Sequence, residues 1–347
     1  MKLSYVGVDL AKNVFQLHGI NRHGQAVWRR RLRRKQWLKV LLETVEPGCI
    51  IGMEACSSAH HWARQLQANG YDVRLVAPQF VKPFVKPFVK SNKNDRNDAE
   101  AICEAITRPH MRFVPVKTVE QQDIQAIYRV RCTLMSQRNA QANQIRGLVA
   151  EYGIVAPPQM LSLRRAIPDW LEDAENGLST CFRALLHDLW MDLQHLQERL
   201  AELDRQIEQI AKDNPVTRRL QQLRGVGPMV ATALVATVGD GSHFKKGRQM
   251  AAAIGLTPRQ HSSGDKRRLL GISKRGDAYL RTLLIHGARA VVSQAKRRDD
   301  PLSLWVTSIA ERSHTNVAAA ALANKTVRIA WSMLRNESDY NPAVAVA

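Results

Sequence analysis

The pattern of apolar and polar positions changes character about a third of the way along the chain. Tyr5–Asp9 alternates apolar and small residues and ends on an acid. Val14–Ile20 and Ala26–Leu32 read as two more strands, joined by turns at Ala11–Lys12 and His23–Gly24. Gln36–Val45 places Trp37, Leu38, Leu41, Leu42 and Val45 at helical spacing, and Pro47–Gly48 stops it. Cys49–Met53 reads as a buried strand ending on Glu54, Ser57–Asn69 as a helix stopped by Gly70, and Val73–Val76 as a strand. The next helix carries Asp95 and Asp98. Beyond Val119 the strand pattern gives way to helices. Val119–Gln144 contains neither Gly nor Pro and predicts one long helix. Leu186, Leu189, Leu193, Leu196, Leu200, Leu203, Ile207 and Ile210 recur at alternating spacings of three and four, a heptad seam that predicts a coiled coil ended at Asp213–Pro215.

The opening order is strand, strand, strand, helix, strand, helix, strand, helix. It predicts an RNase H-like α/β domain with a mixed sheet whose first and fourth strands lie side by side. Asp9 and Glu54 then end neighbouring strands, and Asp95 and Asp98, three apart on one helical face, lie across the same edge. Four carboxylates from distant segments repel one another unless cations lie between them. Such a set suits phosphoryl chemistry with two divalent ions roughly 4 Å apart. Taken singly, each acid has a plainer reading, as a strand-end turn residue or an acid suiting a helix dipole.

The doubled tetrapeptide at Val81–Phe88 predicts an extended basic connector, because each proline opposes regular helix and central strand. Leu223–Asp240 joins two apolar helical patterns through Gly225-Val226-Gly227-Pro228, a helix-hairpin-helix pattern whose free N–H groups can hold a phosphate. A plain helical hairpin is the competing reading. Gln260–Gly271 reads as a polar loop containing Ser262, Ser263, Lys266, Arg267 and Arg268, preceded by Arg259 and followed by Lys274 and Arg275. Those cations are placed for nucleic-acid phosphates. Helices over Asp277–Ser293 and Val317–Leu334 close the chain before an Asn336–Ala347 tail that reads as disordered. The expected domains are 1–118, catalytic; 119–214, long helices and coiled coil; 215–335, mostly helical; and 336–347, the tail.

Composition narrows the partners. Lys and Arg outnumber Asp and Glu by 51 to 31 in 347 residues, a formal charge of +20. A field of that sign attracts polyanions, and nucleic acid is the expected partner. No apolar run reaches the ~18 residues of a membrane span, and Met1–Leu10 offers no leader pattern, so the expected location is the cytoplasm, at the nucleoid. The five cysteines are scattered and show no zinc spacing, as buried reduced thiols do.

The stretches YVGVDLAKNVFQLH, GMEACSSAHHWA with Glu54, VKSNKNDRNDAEAI, LRGVGPMVATALVA, AAAIGLTPRQHSSG and ISKRGDAYLRTLLIHGARA run in order over nearly the whole chain. Together they resemble the DEDD recombinases of the one-ten family of insertion sequences, in its eleven-eleven subgroup. The resemblance implies a RuvC-like Mg2+ site at Asp9, Glu54, Asp95 and Asp98, and a nucleophilic serine at Ser263 that becomes joined to DNA, with Ser262 its neighbour and alternative. It also implies double-stranded DNA as substrate, a structured noncoding guide RNA, and a dimer of dimers. Two other readings keep part of this: a Holliday-junction nuclease with water as nucleophile, and a non-enzymatic nucleic-acid binder. An actin-like kinase is disfavoured, because Leu10-Ala11-Lys12 lacks the Gly and Thr that would cradle phosphate. The DEDD exonucleases, which place Glu two residues after the first Asp, have Ala11 against them.

Overall fold

The computed structural model describes residues 2–84, 95–264 and 266–342, and of Asp95, Arg96 and Arg267 the backbone only. The second copy of the tetrapeptide, Lys90, Lys93, Asp265 and the last five residues of the expected tail lie outside the described residues. The chain divides into two compact units, Met1–Thr118 and Val119–Ala347.

The first unit is built on a six-stranded sheet of order β3-β2-β1-β4-β5-β6. Its strands are β1 (Tyr5–Leu10), β2 (Val14–Ile20), β3 (Ala26–Arg33), β4 (Ile50–Glu54), β5 (Asp72–Val76) and β6 (Phe113–Val114). β1 pairs antiparallel with β2 and parallel with β4, the central arrangement that the element order predicts. Side chains alternate across a strand, and the two faces bury different things. Val6, Val8, Phe15, Leu17, Ile51 and Met53 pack with α1 (Trp37–Thr44) and α2 (Ala59–Ala68), where the rings of Trp37 and Phe15 meet edge to face at 5.1 Å.

On the opposite face lies α4 (Asp95–Thr107). Its Ile102 and Ile106, fully buried, each contribute roughly 1.5–3 kcal/mol through burial. Two glycines make this seat. A Cβ at Gly7 would stand 2.2 Å from the Ala99 carbonyl oxygen, and one at Gly52 would stand 2.6 Å from Ile106. The first tetrapeptide copy departs from the extended connector that its proline predicts. Pro78–Val81 forms a helical turn, α3, and Lys82–Phe84 a 3-10 turn. Val81 is buried against the α4 side, and the fixed φ of Pro83 suits a helical turn.

The second unit is helical: α5 (Val119–Ala150), α6 (Met160–Glu172), α7 (Thr180–Asp213), α8 (Pro215–Leu220), α9 (Pro228–Val238), α10 (Gly247–Ile254), α11 (Ala278–Ala295), α12 (Pro301–Arg312) and α13 (Thr315–Asn336). α5 and α7 run antiparallel. Arg131 Nε donates to Asp204 at 2.5 Å, Arg138 to Gln197 at 3.3 Å and Gln141 to the Leu189 carbonyl at 3.2 Å, pairs that descend along one helix as they ascend the other. The heptad residues Leu186, Leu193, Leu200 and Ile207 are buried, and Leu189, Leu196, Leu203 and Ile210 are half-buried. Much of the stripe thus meets a helix of the same chain. α9 is the centre of the C-terminal core, with Val230, Ala231, Leu234 and Val238 buried. α12 was not foreseen; Asp300 caps it by accepting from the Ser303 N–H. Past α13, the Tyr340 N–H donates to Gln222 at 2.8 Å.

The segment Gln260–Gly271 is not a loop. β7 (Pro258–Ser263) and β8 (Lys266–Ile272) form an antiparallel hairpin. Every residue of β7 is exposed, so no apolar alternation marks it in the sequence.

The glycine seat has a measurable cost when filled. Gly7→Ala should lower the unfolding free energy by about 3 kcal/mol, the upper part of the range for overpacking. Gly147→Ala, in the interior of α5 with open space around the new Cβ, should raise it by roughly 0.5–1 kcal/mol. Urea titrations of both variants check the pair.

Candidate active site

Strand period and the glycine seat together place the acids. Gly7 and Asp9 are two apart on β1 and share a face; Gly52 and Glu54 do the same on β4. Val8 pairs with Met53 in the parallel ladder, so Asp9 and Glu54 follow at the same level on adjacent strands, on the face that α4 covers. α4 crosses with Ala99 and Cys103 over Gly7. Its N-terminal turn, Asp95 to Asp98, therefore lies toward the strand ends that carry Asp9 and Glu54. Asp9, Glu54 and Asp98 are each half-buried.

Electrostatics report the same juxtaposition. Burial pushes the Cys56 thiol up from its ordinary value, and the carboxylates of Glu54 and then Asp9 push it further. Cys56 follows Glu54 on the turn into α2, where the Cys56 N–H donates to the Glu54 carbonyl at 2.8 Å. Among the described residues no group of three or more His, Cys, Asp and Glu side chains is gathered tightly enough to hold a metal ion. The Asp95 side chain lies outside the described residues. The donor chemistry itself, carboxylate oxygen without sulfur or imidazole, suits a hard divalent cation.

The remaining expected site residues belong to the second unit. Ser263 ends β7 and pairs with Lys266, and Gly264 after it has φ +56°. His261 pairs with Arg268 and Ser262 with Arg267. Strand alternation puts Ser263, His261, Lys266 and Arg268 on one face of the hairpin and Ser262 on the other, where its hydroxyl accepts from Gln260 at 2.8 Å. Arg259 lies at an irregularity of the ladder between Pro258 and Gln260.

The hairpin's base is fixed by backbone crossing. A Cβ at Gly255 would stand 2.2 Å from the Arg275 carbonyl oxygen, and one at Gly276 would stand 1.9 Å from the Ala253 carbonyl oxygen. Arg281 spans the crossing, donating to Ile254 O at 2.9 Å and Arg275 O at 2.8 Å. It is buried, so its charge serves the turn that presents exposed Lys274 and Arg275. Gly225 and Gly227 differ in kind. Gly225, at φ +81°, lies back to back with Gly287 of α11, whereas Gly227 is the N-cap of α9 and a Cβ there would meet open space. Of the residues that the sequence reading passed over, Gln16, His18, Arg29 and Arg31 line a cavity beside Ala99 of α4. The run of basic residues Arg29–Lys35, broken only at Leu32, was the available sign of it.

Comparison with known proteins agrees with a DNA-processing class. The family model described as a DEDD transposase of the IS110 type matches residues 6–154, and that of the transposase IS116/IS110/IS902 family matches residues 217–301. A probable family 20 transposase of Pseudomonas aeruginosa is 47% identical over 99% of this chain and 100% of its own. The transposase for insertion sequence element IS1111A of Coxiella burnetii is 44% identical, over 97% and 91%. That for IS1328 of Yersinia enterocolitica is 40% identical, over 95% and 96%. The chain belongs to the IS110/IS116 family of transposases, enzymes that cut and rejoin DNA. No helix among the described residues is long and apolar enough to cross a membrane.

The shared field of Asp9 and Glu54 can be read at Cys56. Removing either negative charge favours the thiolate, so Glu54→Gln and Asp9→Asn should each lower the thiol pKa and speed its alkylation at fixed pH. Iodoacetamide labelling followed by peptide mass spectrometry checks this, with exposed Cys181 as the internal reference. An unchanged Cys56 rate in both variants would separate the two acids.

Proposed function

We propose that this transposase is an RNA-guided recombinase whose Asp9, Glu54, Asp95 and Asp98 form a RuvC-like divalent-metal site and whose Ser263 becomes covalently joined to DNA. The observation that carries the reading is the meeting of Asp9 and Glu54, at one level on parallel neighbouring strands, with the N-terminal turn of α4. Mg2+ held there, as two ions in this reading, would supply charge neutralisation at the scissile phosphate. The carboxylates also fix where that phosphate rests relative to the sheet.

At Ser263 the chemistry is an exchange of phosphodiesters. The Oγ forms a bond to phosphorus, the bond from phosphorus to a deoxyribose oxygen breaks, and that oxygen gains a proton as the serine loses one. Because one ester replaces another, the reverse attack by a DNA hydroxyl rejoins a strand without an external energy source. Lys266 and Arg268, on the Ser263 face of the hairpin, offer charge to the phosphate oxygens. His261 shares that face and is the nearest candidate in sequence for a proton carrier. Lys274 and Arg275, on the braced turn, and the open N-terminus of α9 at Gly227 offer further phosphate contacts, and Arg259, Arg267 and Gly225 complete the proposed nucleic-acid set. The +20 charge supports a second polyanion, the structured guide RNA, beside the DNA. A dimer of dimers completes the proposal, with half-buried Leu196 and Leu203 of α7 as available apolar surface.

The test is adduct formation. Assembled with guide RNA and end-labelled DNA and then denatured, the wild-type protein should retain label. Ser263→Ala and Asp98→Asn should retain none while binding the same DNA. Label persisting on Ser263→Ala would move the nucleophile, with Ser262 on the opposite face the first suspect. Cutting by Ser263→Ala at the wild-type rate would mean that water attacks, as in a Holliday-junction nuclease.

A further inference from the structure

The face of the sheet that carries the acids continues beyond them, and its character reverses. Asp9 pairs with Gln16 of β2, and Gln16 pairs with Arg31 of β3. One row across the sheet therefore reads Glu54, Asp9, Gln16, Arg31. The next row reads Gly52, Gly7, His18, Arg29. In the second row two positions lack side chains because α4 covers them, whereas the β2 and β3 positions lie beside the helix. There Gln16, His18, Arg29 and Arg31 line a cavity of about 200 Å³ with Ala99, the residue after Asp98.

We infer that this cavity holds a phosphate of the DNA strand whose scissile phosphate lies at the acids. The inference rests on the reading of those acids as the cleavage site. Three features point to a phosphate. Arg29 and Arg31 converge from one strand and are exposed, as residues that meet an outside ligand must be, while His18 forms a buried floor. A guanidinium presents paired donors matched to phosphate oxygens, and Gln16 adds an amide. The spacing also fits. Arg31 is two strands from Asp9, roughly 10 Å at a strand separation of about 4.8 Å, the distance of a phosphate one or two nucleotides along the same strand.

The charge balance leaves room for an anion. Glu100 of α4 approaches Arg29 at 3.7 Å and offsets part of its charge, with both groups more than two-fifths exposed. Charge on an edge strand also discourages pairing with another edge. Arg33 serves that purpose as well, and so does Arg30, which borders the cavity but pairs with Leu17 and so belongs to the other face; that role alone would not require Arg29 and Arg31 to share a face with Gln16 and Asp9.

Binding measured in EDTA isolates this contact from cutting. Full-length protein is titrated with duplex DNA carrying the cleavage sequence, and with RNA of equal length, at several salt concentrations. Arg31→Gln, which leaves the Arg29–Glu100 pair in place, should weaken DNA binding about tenfold and reduce the salt slope by about one phosphate contact. Arg31→Lys should recover part of the affinity. A single methylphosphonate one or two nucleotides from the cut should weaken the wild type and leave Arg31→Gln unchanged. DNA affinity and slope equal to the wild type in both Arg31→Gln and Arg29→Gln would overturn the inference, as would a loss confined to RNA. Should Asp9→Asn still cut while Arg31→Gln loses DNA affinity, the acid reading fails and the phosphate contact stands.

Discussion

The closeness of α4 to the sheet is the constraint on which the candidate site depends. Gly7 and Gly52 occupy one level of β1 and β4, and the helix backbone rests where their side chains would be. Two residues further along each strand comes an acid, Asp9 after Gly7 and Glu54 after Gly52. A period of two makes each glycine and its acid neighbours on one face. The feature that lets the helix approach therefore also brings the N-terminal turn of α4 to the level of the acids. Ile102 and Ile106 hold the helix down from its other end.

In the proposed mechanism the two units divide the chemistry between different kinds of local structure. The acids stand on central strands and a packed helix, where repelling carboxylates are held by elements that cannot relax apart. Ser263 stands on an exposed hairpin, and only the hairpin's base is tightly built, through Gly255, Gly276 and Arg281. Rigid placement suits groups that define where a phosphate rests. An exposed hairpin suits a nucleophile that must meet a large substrate. In both units arginine does two jobs. Arg74 and Arg281 bind backbone carbonyls inside the fold, while Arg31 and Arg268 face outward.

Much of the first unit could be read from the sequence because its signals are local. Short apolar runs separated by turns gave the strand order, and that order implied the β1–β4 neighbourhood and the meeting of Asp9 with Glu54. The glycine seat was hidden, since Gly7 and Gly52 are informative only once α4 is known to cross them. The first VKPF copy was misjudged because proline excludes a helix interior but not a short helical turn. β7 is exposed along its whole length and carries no apolar alternation, so nothing periodic separated the hairpin from a loop. The α7 stripe was legible as a seam, but a seam does not say whether its partner is a second copy or, as for Leu186 and Leu193, α5 of the same chain. Arg29 and Arg31 were passed over because a basic run reads as a solvated edge until the register aligns it with Gln16 and Asp9.

The central claim is that the acids of β1, β4 and α4 act together on a divalent cation. Titration of the full-length protein with Mn2+, followed by electron paramagnetic resonance of the free ion, tests it without reference to DNA or to activity. The account predicts that the wild type removes Mn2+ from solution and that Asp9→Asn, Glu54→Gln and Asp98→Asn each weaken uptake at least tenfold while remaining folded. Uptake by all three folded variants equal to that of the wild type would contradict it.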